Sequence, residues 1–162
     1  NLKEENITQK FDEVFDQGDS FFLFDNFPAL LANYQIETVI PCLQMVCEKP
    51  LPVTITENII QLNETKREEM YLLVSNVFPG YYLPNTPLMG DYFGIFKDGN
   101  LVAIAGERLR MDGLTEISAV VTHPGFVGRK YSQQLVSFLS NPFPAYRCQK
   151  CTGYWYIRTA GL

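Results

Sequence analysis

At 162 residues the chain suits one compact domain, or one domain plus part of another. Its 46% apolar and 19% charged content is that of a globular protein, and a net charge of -5 with a pI of about 4.9 argues against a nucleic-acid partner, which needs clustered cations. No run is apolar for long enough to cross a bilayer and four cysteines are too few for a disulfide scaffold, so a cytoplasmic protein with no leader and no membrane attachment is expected.

Residues 1–56 read as an N-terminal α/β region. An amphipathic stretch runs from Ile7 to Phe15, and a short apolar run from Phe21 to Phe24 lies between Asp19 and Asp25. "QIETVIPCLQMVCE" follows, with Cys42 and Cys47 as small apolar packing residues, and the prolines of "KPLPV" mark a boundary. "NIIQL" then reads as a short strand. Asn63, Glu64 and Thr65 are capping residues ahead of "KREEMYLLVSNVF", whose apolar spacing suits a helix. Residues 80 to 90 read as a loop. Asp98-Gly99 and Asp112-Gly113 separate β-prone runs, so three antiparallel strands are expected at about 91–97, 100–110 and 115–122.

The third of these strands runs into "HPGFVGRKYSQQLVSFL", a loop with Gly125 and Gly128 that leads into a helix from about Lys130. A strand, a glycine-bearing loop and a helix N-terminus can form an anion cradle, because free backbone N–H groups converge where the helix dipole is positive. Arg129 and Lys130 add charge there. An ordinary strand-to-helix turn with surface cations fits the local pattern equally well.

The order strand-helix, three-stranded meander, strand-loop-helix is joined by "QMVCEKPLP", "YFGIFKDGNLVAIAGERLR" and "TEISAVVTHP". Over roughly residues 40 to 136 this resembles a bacterial subgroup of the GNAT N-acetyltransferases. The resemblance implies a GNAT-like α/β (α+β) fold: a mixed, mostly antiparallel sheet flanked by helices, with residues 57–140 as the acetyltransferase core and an incomplete C-terminal part. It further implies acetyl transfer from acetyl-CoA to a primary amine, on a small molecule or a protein or peptide, with room for a homodimer. By position, Val120, Val121 and Thr122 would contact the pantetheine arm. Gly128, Arg129, Lys130, Tyr131, Ser132 and Gln133 would cradle the pyrophosphate. The family pattern Gln/Arg-x-x-Gly-x-Gly/Ala is replaced by Val127-Gly128-Arg129-Lys130-Tyr131-Ser132. Glu116, four residues before Val120, matches the position of a catalytic glutamate in some relatives and would remove an amine proton. His123, the only histidine, reads as a loop-shaping residue beside Pro124. The reading from a different class is a non-catalytic module that binds CoA or a partner protein. No metal is expected.

Residues 141–162 depart from the family's ending, which should supply a fifth strand and a helix bearing a tyrosine acid. Read from the second base of each codon, the tail permits Pro-Phe-Leu-His followed by Asn-x-x-Ala-Ile-Gly-Ile-Tyr-Glu-Arg-Leu-Gly-Phe, the family's own ending. A frame change between about Val136 and Asn141 is inferred, and the helix before it reads as about two turns short. Cys148-x-x-Cys151 is then a by-product, half a zinc site without a second pair. "TGYWYIRT" is the tail's one β-prone run. It is expected to form a substitute strand beside residues 115–122, from the same chain or a second molecule.

Overall fold

The computed structural model describes residues 10–24, 34–40, 53–80, 82–111, 114–140 and 154–159. The elements in chain order are β1 (Ser20–Phe24), β2 (Tyr34–Ile40), β3 (Ile59–Leu62), α1 (Arg67–Val77), β4 (Tyr92–Lys97), β5 (Asn100–Met111), β6 (Leu114–Thr122), α2 (Tyr131–Ser140) and β7 (Tyr154–Thr159). A helical turn at residues 10–14 precedes β1. The chain divides into two compact units, Asn1–Met45 with Lys150–Leu162, and Val46–Gln149.

In the first unit β7 lies between β1 and β2, antiparallel to both. Phe11, Phe15 and Phe21 form an aromatic cluster, with Phe15 and Phe21 stacked at 4.0 Å between ring centroids. Tyr34 meets Phe11 and Phe21 edge-on and donates a 2.7 Å hydrogen bond to Asp12.

In the second unit the strand order is β3-β4-β5-β6, antiparallel throughout. Asp98 and Gly99 both have positive φ (50° and 79°), which a two-residue hairpin turn requires. Before α1, the Asn63 side chain accepts a hydrogen bond from the Thr65 N–H at 3.0 Å and caps a short 3₁₀ turn. Glu68 and Glu69 then occupy α1's electropositive first turn. Its buried residues, Met70, Leu73 and Val74, have the i, i+3, i+4 spacing of one helical face. Each buried side chain of this kind contributes about 1.5–3 kcal/mol. They pack with Leu62, Tyr92, Ile104 and Val121 on one face of the sheet. On α2, Leu135 and Leu139 pack with Ile95, Val102 and Ala105 in the other cluster.

One close approach fixes the middle of the sheet. A Cβ built on Gly106 would lie 2.2 Å from the ring of Tyr92, its direct cross-strand neighbour. Only glycine leaves space for that ring, and Tyr92 is buried accordingly. A second tie joins α2 to the connector before β3. The buried Gln134 carbonyl oxygen accepts from the Thr56 and Glu57 N–H groups at 2.8 and 3.0 Å, and Ser137 Oγ accepts from Val53 N at 3.3 Å.

Most sequence expectations for this unit match these elements, and residues 154–159 do form a strand. Their pairing is a correction: β7 bonds to β1 and β2 rather than to β6, which is the edge of its sheet among the described residues. Apolar surface alone cannot choose between edges, and two strands offer β7 hydrogen bonds on both sides where β6 would offer one. Cys42, Cys47, Cys148, Cys151, the 112–113 turn and residues 141–153 lie outside the described residues. Among the described residues no helix is long and apolar enough to cross a membrane.

Two stability tests follow from this packing. Gln134→Leu leaves the Thr56 and Glu57 amides without their acceptor and should cost about 1–3 kcal/mol, read as a lower urea midpoint at unchanged slope. An unchanged midpoint would mean that the tie is not energetically significant. Burial raises the Tyr92 phenol from its ordinary 10.0 to about 12. Because the folded chain ionises later than the unfolded one, this group's contribution is complete below pH 10 and is lost as pH rises toward 12. Urea midpoints should therefore fall across that window, and Tyr92→Phe should make the fall shallower.

Candidate active site

Sequence places a strand, a turn and a helix in succession at residues 114–140, and the local geometry shows how they open a site. The ladder between β5 and β6 breaks register twice, between Ile104 and Gly106 and between Glu107 and Arg110. At the first break Ala119 takes φ 51° and β6 carries an extra residue, a β-bulge. An alanine in the left-handed region is strained and persists only where the surroundings impose it. Beyond the bulge Val120 is exposed, Val121 is buried in the α1 cluster, and the Thr122 hydroxyl bonds that of Ser132 at 2.7 Å.

The chain then turns. His123 N–H donates to Val102 O at 2.8 Å, and His123 Nδ1 accepts from Gly125 N–H at 3.1 Å, capping a 3₁₀ turn from Pro124 to Phe126. The histidine shapes the loop. Arg129's guanidinium lies 4.9 Å from the centre of the Phe126 ring. Gly128 and Lys130 have φ of 79° and 62°, and α2 starts at Tyr131. Lys130 thus adopts the left-handed backbone that glycine favours, at the position where the resemblance has glycine.

Together these residues line an open cleft of about 390 Å³. Gly128, Arg129, Lys130, Tyr131, Ser132 and Gln133 are all on its wall, along with Thr122, Phe126 and Val127. Val120 and Val121 are on the strand that leads to it but do not line it. The cleft combines the N-terminus of a ten-residue helix with two cationic side chains, an arrangement suited to a phosphorylated ligand. A Cβ on Gly128 would meet nothing within 4 Å, so the space above the loop is open.

Glu116 lies elsewhere on β6, four residues before Val120 with the bulge between them. Its carboxylate is held from the side by Arg108: Nε donates to Oε2 at 3.0 Å and a terminal N–H donates to Oε1 at 2.5 Å. The two side chains are 20% and 12% exposed. Tyr92 belongs to the same group, since the charges of Arg108 and Glu116 both act on its phenol. Tyr82 packs edge-on against Tyr92, and burial raises its phenol further still. The buried Tyr82 hydroxyl has no hydrogen-bond partner among the described residues. Sequence reasoning missed Arg108 and Tyr92. The Asp112-Gly113 pair hinted at Arg108 by marking β5 and β6 as neighbouring strands, but the register break that sets Arg108 beside Glu116 has no sequence signature. Among the described residues no group of three His, Cys, Asp or Glu could hold a metal.

No protein-family profile and no curated protein matches the chain. Solved structures do. A protein assigned to the acetyltransferases of the GNAT family, from Novosphingobium aromaticivorans, superposes with a TM-score of 0.75 over 98% of this chain and 81% of that one, at 22% identity. A GCN5-related N-acetyltransferase from Kribbella flavida gives 0.56 over 98% and 74% of the two chains at 15% identity. A conserved protein of unknown function from Staphylococcus epidermidis gives 0.56 over 98% and 82%, at 10% identity. With its antiparallel sheet flanked by helices, the chain has the fold of the GNAT acetyltransferases.

Proposed function

We propose that the chain transfers an acetyl group from acetyl-CoA to a primary amine. The observation that carries this reading is the loop from Gly128 to Gln133. Its left-handed turns at Gly128 and Lys130 and the N-terminus of α2 line one cleft, next to a bulged strand end. The amides of residues 128–133 would bind the diphosphate, with Arg129 and Lys130 adding charge, and the backbone at Val120 to Thr122 would pair with the pantetheine arm. Acetyl-CoA supplies the activated acetyl thioester. A backbone amide at Val121 or a neighbour, close to the bulge that leaves Ala119 and Val120 without register partners, would steady the oxyanion that forms at the carbonyl. Glu116 would take the amine proton.

The second reading is a non-catalytic CoA-binding module. The observation in its favour is that Arg108 engages both carboxylate oxygens of Glu116. Acetyl-CoA turnover on a panel of primary amines separates the two. Turnover that falls by about 10²–10⁴ in Glu116→Gln supports the enzyme. CoA binding without turnover on any amine supports the module.

The loop gives a test independent of turnover. CoA should raise the melting temperature of the chain, as any ligand selective for the native state does. Lys130 already holds the backbone conformation that glycine would adopt. Lys130→Gly should therefore keep the amides in place, relieve about 1 kcal/mol of backbone strain and remove one cation. The expected result is a slightly higher melting temperature without ligand and a smaller rise with CoA. A larger rise would show that the lysine stem obstructs the cleft.

A further inference from the structure

The wall of the cleft has two kinds of chemistry. One part is polar: Gly128, Lys130, Ser132 and Gln133 lie where the loop enters α2, and they suit a diphosphate. The other part is Phe126, Val127 and Arg129. It offers an aromatic ring, a branched apolar side chain that is 66% exposed, and a flat cation. A phosphate group has no use for the first two.

The ring is fixed from several sides. Phe126 N–H donates to His123 O at 2.8 Å within the 3₁₀ turn. Its half-buried side chain packs against the cluster that includes Tyr131 and Leu135. The His123 ring meets it at 74°, with 5.8 Å between the ring centres. Over this ring Arg129 lays its guanidinium, 4.9 Å from the centre, on an exposed side chain. Among the described residues no carboxylate pairs with Arg129. A guanidinium is planar and stacks on flat π systems. With one face on Phe126, its other face suits a second flat group.

We propose that Phe126, Val127 and Arg129 form a platform for the base of a nucleotide, so that the cleft takes a nucleoside diphosphate rather than a diphosphate alone. In the acetyltransferase reading this group is the adenosine end of acetyl-CoA, and the proposal rests on that reading's diphosphate at Gly128 to Gln133. Both parts line one cavity of about 390 Å³, inside the range of about 300–1,000 Å³ for small-molecule sites. Stacking uses the face of the base, so it requires no hydrogen-bonding side chain at its edge. An ammonium cannot replace the guanidinium here, because it is a point charge without a plane. Lys130 therefore adds charge to the cleft, and Arg129 adds a surface.

Titration calorimetry of the full chain with ADP and with inorganic pyrophosphate tests this. Pyrophosphate carries about as much charge as ADP at neutral pH, so charge alone favours neither. ADP should bind about tenfold more tightly, the worth of one stacked base. Arg129→Lys keeps the charge and removes the plane. It should bring ADP close to the affinity of pyrophosphate, while pyrophosphate itself changes much less. Phe126→Leu, which keeps an apolar side chain against the core but no ring, should narrow the preference in the same way. Equal affinities in the unaltered chain, or binding of CoA without binding of ADP, would overturn the platform and leave the acetyl-CoA reading standing. The platform also falls if both ligands weaken together in Arg129→Lys, since the arginine then acts through charge. It falls as well if ADP keeps its preference there, which would then come from the ribose. If CoA, ADP and pyrophosphate all fail to bind, the acetyl-CoA reading itself is wrong, and the platform goes with it.

Discussion

Both halves of the site depend on how β5 and β6 fail to stay in step. An ideal antiparallel ladder would alternate side chains evenly and use every backbone amide. Here one register break supplies the bulge at Ala119, and the other sets Arg108 against Glu116. The first leaves Ala119 and Val120 without register partners on the strand that leads to the cleft. The second brings a guanidinium and a carboxylate into side-on contact on a surface that would otherwise be plain sheet. Each break forfeits ladder hydrogen bonds, so the surrounding packing must keep the strands together.

That packing comes from both faces. Tyr92 over Gly106 and the apolar face of α1 press on one side of the sheet, and Leu135 and Leu139 of α2 on the other. The Gln134 carbonyl holds the chain ahead of β3 against α2, and Lys97 adds a 2.6 Å ion pair to Glu57 in the same connector. This second pair is partly solvated and contributes little by itself. Its value is positional, because it joins the connector to β4 close to where Gln134 joins it to α2.

The second unit's strands and helices were largely legible because their signals are local. Asp98-Gly99 fixes a hairpin, Asn63 caps a turn, and the spacing of Met70, Leu73 and Val74 marks a helix face. Of the residues lining the cleft, Gly128, Arg129 and Lys130 stood out from the strand-loop-helix pattern, and Tyr131, Ser132 and Gln133 only from the resemblance. What escaped was long-range or irregular. The partner of β7 is chosen by competition among distant edges, which no residue of 154–159 records. The contact between Arg108 and Glu116 follows from a bulge rather than from turn counting, under which Leu109 would face Glu116. Lys130 read as a departure from the glycine pattern, and the backbone shows a lysine holding glycine's conformation.

The placement of β7 has a consequence for the order in which the chain acquires structure. Phe24 pairs with Tyr154, roughly 130 residues further on, so closing this sheet is a long-loop event, whereas β4, β5 and β6 follow one another with only two residues between successive strands. During synthesis the meander can form as soon as it emerges, but the middle strand of the first sheet is made long after both of its neighbours. Until then β1 and β2 have no strand between them. The first unit is therefore the slower to assemble, and the one exposed to proteolysis or mispairing until β7 has been made.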